Sequence, residues 1–109
     1  MWALRSETLT RSRVAGFCTV KDELQNRTSA PLHARIWWRA YDAAGVLLGI
    51  AFAAVYDVPA DGQQVFESGP FYLGLTAKLV PCHRIARFEQ YFVEVYDAHW
   101  PRSRASPDD

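Results

Sequence analysis

From Leu32 to Asp42 the chain alternates without a break. Leu32, Ala34, Ile36, Trp38 and Ala40 fall on one side, and His33, Arg35, Trp37, Arg39 and Tyr41 on the other. Successive side chains of an extended strand point to opposite faces, so this pattern calls for a β-strand with one apolar and one mixed face. The first set should face a core. The second mixes arginines with aromatic rings, as a strand face turned to solvent or to a partner does.

The neighbouring segments read the same way. Val14 to Leu24 places Val14, Gly16, Cys18 and Val20 on one face and Phe17, Thr19 and Lys21 on the other. The polar run Gln25–Pro31 ends that strand, because Asn, Ser and Pro favour turns and the residue before proline avoids the helical region. Asp42-Ala43-Ala44-Gly45 is a hairpin-type turn in which glycine supplies the positive φ. Val46–Val58 follows as a strand that is apolar on both sides, with Val46, Leu48, Ile50, Phe52 and Ala54 on one and Leu47, Ala51, Ala53 and Val55 on the other. Its alanines make a buried helix the rival reading, and the flanking turns favour the strand. Pro59-Ala60-Asp61-Gly62 is a further turn, Gln64–Glu67 a short strand, and Phe71–Leu75 a short strand or ordered loop. Ile85–Tyr96, rich in aromatic and β-branched residues, is a last strand with room for a kink.

Strands separated by Gly/Pro turns, with no convincing helix, predict an all-β chain. An immunoglobulin-like antiparallel β-sandwich is the expected architecture; about seven strands would suit it, and five or six are clear. Residues 1–13 read as a flexible or edge-strand segment, 14–100 as the sandwich, and 101–109 as a disordered tail without an apolar anchor. A chain of 109 residues, half of them hydrophobic, makes one domain with a core that needs no metal or disulfide.

The formal net charge is zero, without the basic excess expected of a nucleic-acid binder. The longest apolar run, Val46–Tyr56, falls short of the ~18 residues of a membrane helix. Neither nucleic acid nor membrane is therefore an expected partner. Met1–Val14 lacks the apolar stretch of a signal peptide, which points to the cytoplasm, or to an extracytoplasmic site if the chain is a trimmed form. The two cysteines, Cys18 and Cys82, are spaced like the disulfide pair of antibody domains. The companion tryptophan and tyrosine are missing, and without an export signal the two read as free, buried thiols.

Leu24-Gln25-Asn26, the run Ile36-Trp37-Trp38-Arg39-Ala40-Tyr41-Asp42-Ala43-Ala44-Gly45-Val46-Leu47-Leu48-Gly49, and Pro59-Ala60-Asp61-Gly62 together resemble the bacterial FxLYD-type domains. Those domains read as a Val-x-Asn strand end, an aromatic or aliphatic-x-Tyr-Asp-x-x-Gly hairpin with a Val-Leu-Gly return, and a later Pro-Gly turn. The resemblance spans about forty residues. It implies an immunoglobulin-like sandwich, commonly extracytoplasmic, with interaction roles and no catalytic residues.

No constellation in the sequence carries chemistry. Cys82-His83, with His33, Asp97 and His99, lacks the paired ligands at short spacing of a small zinc site, and adjacent strand residues point apart. The same pair has no third group to orient it as a nucleophile. Glu89, Glu94 and Asp97 share the last strand, but Glu89 and Asp97 lie ~25 Å apart at strand rise and read as a solvated face. Asn26-Arg27-Thr28 is a glycosylation sequon in form and turn chemistry in context. The aromatic-arginine face is the informative feature, since Trp, Tyr and Arg are enriched where proteins bind. The expectation is a non-catalytic module, without a cofactor, that uses Arg35, Trp37, Arg39 and Tyr41 for a protein partner or a homodimer. The alternative is a pocket for a small apolar ligand, lined by aromatic side chains between the sheets or at a dimer seam. Cover from the second sheet or from Phe71-Tyr72-Leu73 would instead make this face structural.

Overall fold

The structure, a computed structural model, describes residues 2–4, 8–11, 16–74 and 78–97. Nine strands follow one another among these: β1 (Trp2–Leu4), β2 (Thr8–Arg11), β3 (Cys18–Asn26), β4 (Leu32–Tyr41), β5 (Leu47–Val58), β6 (Gln63–Glu67), β7 (Tyr72–Leu73), β8 (Lys78–Leu79) and β9 (Arg87–Asp97). A 3-10 turn, Cys82–Arg84, precedes β9. Every pairing is antiparallel, in two sheets. In the first, β3 is central. β2 runs beside Cys18–Lys21 and β1 beside Leu24–Asn26 on one edge, and β6 lies on the other. The second sheet has the order β8-β7-β5-β4-β9.

The chain is thus all-β, with its core between the two sheets. Val20, Leu24 and Phe66 of the first sheet meet Ala34, Ile36, Trp38, Ala51, Ala53 and Val55 of the second. Alternation does this work. On β4 the predicted inner set is buried at every position, and Trp38 is 0% exposed. Removing that much apolar surface from water is the main stabilising contribution of a strand such as this.

Three register shifts change what simple alternation predicts. Between Leu32/Val58 and Ala34/Val55, β5 holds one extra residue. Asp57 takes φ 55° there, and Val58 returns to the core. At the other end of β5, a shift between Ala40/Gly49 and Tyr41/Leu47 buries Leu48 beside Gly49. The predicted grouping of Leu48 with Ile50, Phe52 and Ala54 is therefore corrected: Leu48 is a core residue, and the other three face outward, partly covered. The third shift makes Tyr91 the extra residue of β9, between Phe92 opposite Trp37 and Gln90 opposite Trp38. The kink anticipated in the last strand is this bulge.

Gly49 is fixed by a close approach. A Cβ there would lie 2.7 Å from the Tyr72 carbonyl oxygen and 2.8 Å from Val80 Cγ2. The hairpin turn closes as expected: Gly45 has φ 84°, and Asp42 Oδ1 accepts from the N–H groups of Ala44 and Val46 at 2.9 Å each.

Asn26 does more than end a strand. Its side chain is fully buried. Nδ2 donates to the carbonyls of Ala30, Val58 and Pro59 at 2.8, 3.0 and 3.1 Å, and Oδ1 accepts from the Thr28 N–H at 2.9 Å. Its backbone N–H donates to Gly62 at 2.9 Å. One amide thus joins the end of the first sheet to the loop after it and to the end of β5. With Nδ2 committed and enclosed, the sequon is closed to a glycan.

The expectation of free thiols is overturned: Cys18 and Cys82 form a disulfide, with Cα atoms 5.0 Å apart. The pairing has a local cause. Phe17 bridges to Pro81, and the Cys82 N–H donates to the Gly16 carbonyl at 2.6 Å, so the segment after β8 lies against the start of β3. Neither the missing companion tryptophan and tyrosine nor the lack of an export signal bears on this contact between distant segments. The expected strand residues Val14 and Ala15 and the expected disordered tail, 101–109, lie outside the described residues.

Three stability measurements check this account. Trp38→Ala should lower unfolding free energy by about 3–5 kcal/mol in denaturant melts, the cost of emptying a well-packed core site. Asn26→Asp, which sets a carboxylate against three carbonyls, should cost about 2–4 kcal/mol. Thiol titration of the denatured, unreduced protein should find no free group among these two, and Cys82→Ser should cost about 2–4 kcal/mol.

Candidate functional site

The outer face of β4 carries His33, Arg35, Trp37, Arg39 and Tyr41, with β5 and β9 hydrogen-bonded on its two sides. Directly opposite residues in paired strands share a face, so register assembles the site. Trp37 lies opposite Phe52 on β5 and Phe92 on β9, with ring centroids 4.9 and 5.0 Å away and tilted planes. The three rings make a row across the sheet. His33 forms a second row, edge-on between Tyr56 and Tyr96 at 5.2 and 5.5 Å. Its Nδ1 accepts from the Asp57 N–H at 3.1 Å.

Charged rows separate the aromatic ones. Arg35 stands opposite Glu94 at 3.8 Å, a loose and exposed ion pair that contributes little to stability. Arg39 lies with its guanidinium 4.2 Å from the Tyr91 ring centroid, and Arg87 with its own 4.0 Å from that of Tyr41. Arg87 also pairs with Glu89 at 3.0 Å, and the Tyr41 hydroxyl donates to Glu89 at 3.2 Å. Cations stacked on rings in this way are held in place while keeping hydrogen-bond donors for a partner.

All four residues predicted from the sequence, Arg35, Trp37, Arg39 and Tyr41, therefore sit on one outer face. What the sequence did not reveal is the company they keep. Phe52 comes from the strand thought apolar on both sides, and Phe92 reaches Trp37 because the Tyr91 bulge turns it outward. Phe71 does not cover this face, because it is buried in the core. Tyr72 stands at the margin of a shallow cleft of about 330 Å³ that Trp37, Ile50, Gly74 and Tyr91 also line.

The other candidates are dispersed. Cys82 is held in its disulfide and is lost as a ligand or nucleophile. His33 lies at the opposite end of the β4–β9 pair from the turn carrying His83. Glu89 and Glu94 engage Arg87 and Arg35, and His99 lies outside the described residues. Among the described residues no three His, Cys, Asp or Glu groups converge as a metal site would require, and no helix is long and apolar enough to cross a membrane. No protein-family model, curated protein or solved structure matches this chain.

Proposed function

We propose that this chain is a non-catalytic interaction module, an immunoglobulin-like sandwich of the FxLYD type, that docks a protein partner or a second copy of itself on the outer face of its five-stranded sheet. The observation that carries the reading is the Phe52–Trp37–Phe92 row. Three large rings lie side by side on the face turned away from the core, and Phe92 is 50% exposed. Rings backed by a rigid sheet and flanked by stacked arginines are the composition of binding hot spots. Three strands ~4.8 Å apart and ~33 Å long give the face a projected area on the order of 450 Å².

Support for the sandwich type comes from the strand path. The chain passes between the sheets after β3, after β5 and after β6, with antiparallel pairing throughout. The disulfide supports an oxidising, extracytoplasmic location, the second of the two the sequence allowed. The cleft beside Trp37 favours one other reading, in which a small apolar ligand occupies the same face, since its volume lies at the lower end of small-molecule sites.

Trp37→Ala is the test. Melting curves should show a loss well below that of Trp38→Ala, because the ring is covered only by its own sheet. Sedimentation velocity across a concentration series should show weakened self-association, and a partner captured by the wild-type protein should be lost. Destabilisation equal to that of Trp38→Ala would make the row structural and remove the main support for a docking face.

A further inference from the structure

A second cleft lies at the end of the sandwich where β5 begins, lined by residues of β7 and β8 and by none of the Trp37 row. Leu48 and Val80 form its floor, Leu73 and Leu79 its sides, and Lys78 and Arg84 its rim, around a volume of about 240 Å³. Leu73 and Leu79 are 49% and 40% exposed, large apolar side chains left facing water. Neither Lys78 nor Arg84 makes an ion pair with another described residue. Among the described residues no acid lines the cleft. Asp42, in the turn at this end, is committed to the N–H groups of Ala44 and Val46.

The walls are held in place without a ligand. The disulfide and the Cys82 N–H bond to Gly16 anchor the segment that carries Arg84, and the Arg84 N–H closes back on the Pro81 carbonyl at 3.1 Å. Gly49 lets Tyr72 and Val80 lie directly on β5, which seats the inner wall. A preformed apolar floor under two cations that no described acid pairs with is complementary to an apolar body with an anionic head.

We infer that this cleft binds a small anionic amphiphile, a medium-chain carboxylate being the simplest member of the class. The volume admits a short chain or the head-proximal part of a longer one. The cations orient the head, and the leucines cover the methylenes, which gain by leaving water.

Titration calorimetry of the full chain with decanoate, below its micellar concentration, tests the inference. One saturable site per chain is expected, with decyltrimethylammonium binding at least about tenfold more weakly. The pair Lys78→Glu and Arg84→Glu should weaken decanoate by about tenfold or more, as should Leu79→Ser, with circular dichroism unchanged because all three positions are exposed. Trp37→Ala should leave decanoate binding as it was, which separates this cleft from the aromatic face. Equal binding of the cationic amphiphile, or indifference to charge reversal, would overturn the inference. So would sedimentation with anionic phosphatidylglycerol vesicles in the absence of decanoate binding, which would assign the two cations to a lipid surface.

Discussion

β4 is hydrogen-bonded on both sides, to β5 and to β9, and its ten side chains are divided between two environments. The inner five are buried in the core, beside Ala51, Ala53 and Val55 of β5. The outer five carry the aromatic and arginine rows. Because the period is two, neither set can move without moving the other: a slip of one residue would bring Arg35, Trp37 and Arg39 into the core and expose Trp38. The cost of burying two guanidinium groups without carboxylate partners excludes that alternative register. The same alternation that fixes the fold therefore presents the candidate site, and Trp37 and Trp38, adjacent in sequence, serve opposite purposes.

The neighbours of β4 keep this division through their bulges. In an unbroken β9, Phe88 and Phe92 would share a face. The extra residue at Tyr91 lets Phe88 pack against the core and still sends Phe92 outward to Trp37, while Val93 and Val95 turn inward. On β5, the extra residue near Asp57 does the same for Val58, which would otherwise leave the core after Val55. A bulge also adds local twist, so these insertions shape the outer face as well as assign its residues.

That is why the sequence revealed some features and hid others. The two faces of β4 and the turns at Asp42–Gly45 and Pro59–Gly62 were legible, because alternation and turn chemistry are local. The row around Trp37 was half legible: its centre follows from β4, but Phe92 belongs to it through a bulge at a tyrosine, and no glycine marks the place. Asp57 likewise adopts a positive φ without being glycine. Asn26 read as turn chemistry, since nothing local shows that the Val58 and Pro59 carbonyls, more than thirty residues later, converge on its amide. The disulfide was obscured in the same way. It depends on a single bridge between Phe17 and Pro81, a contact between distant segments with no periodic signal.

The bulge at Tyr91 bears on how a partner would approach. β9 is an edge strand of eleven residues, and a long exposed edge invites pairing with another chain. Three features oppose that here. The bulge interrupts the ladder near its middle. Glu89 and Glu94 lie along the strand, where a second copy centred on Glu94 would set like charges opposite each other. One ion pair and two cation–ring contacts already tie the outward side chains of β9 to those of β4, through Arg35–Glu94, Arg39–Tyr91 and Arg87–Tyr41. The backbone edge is poorly suited to accept a strand, while the side chains that discourage it are the ones that build the rigid outer face. Any association through this sheet would thereby be directed from edge to face, where shape and side-chain chemistry can discriminate between partners in a way that backbone hydrogen bonds cannot.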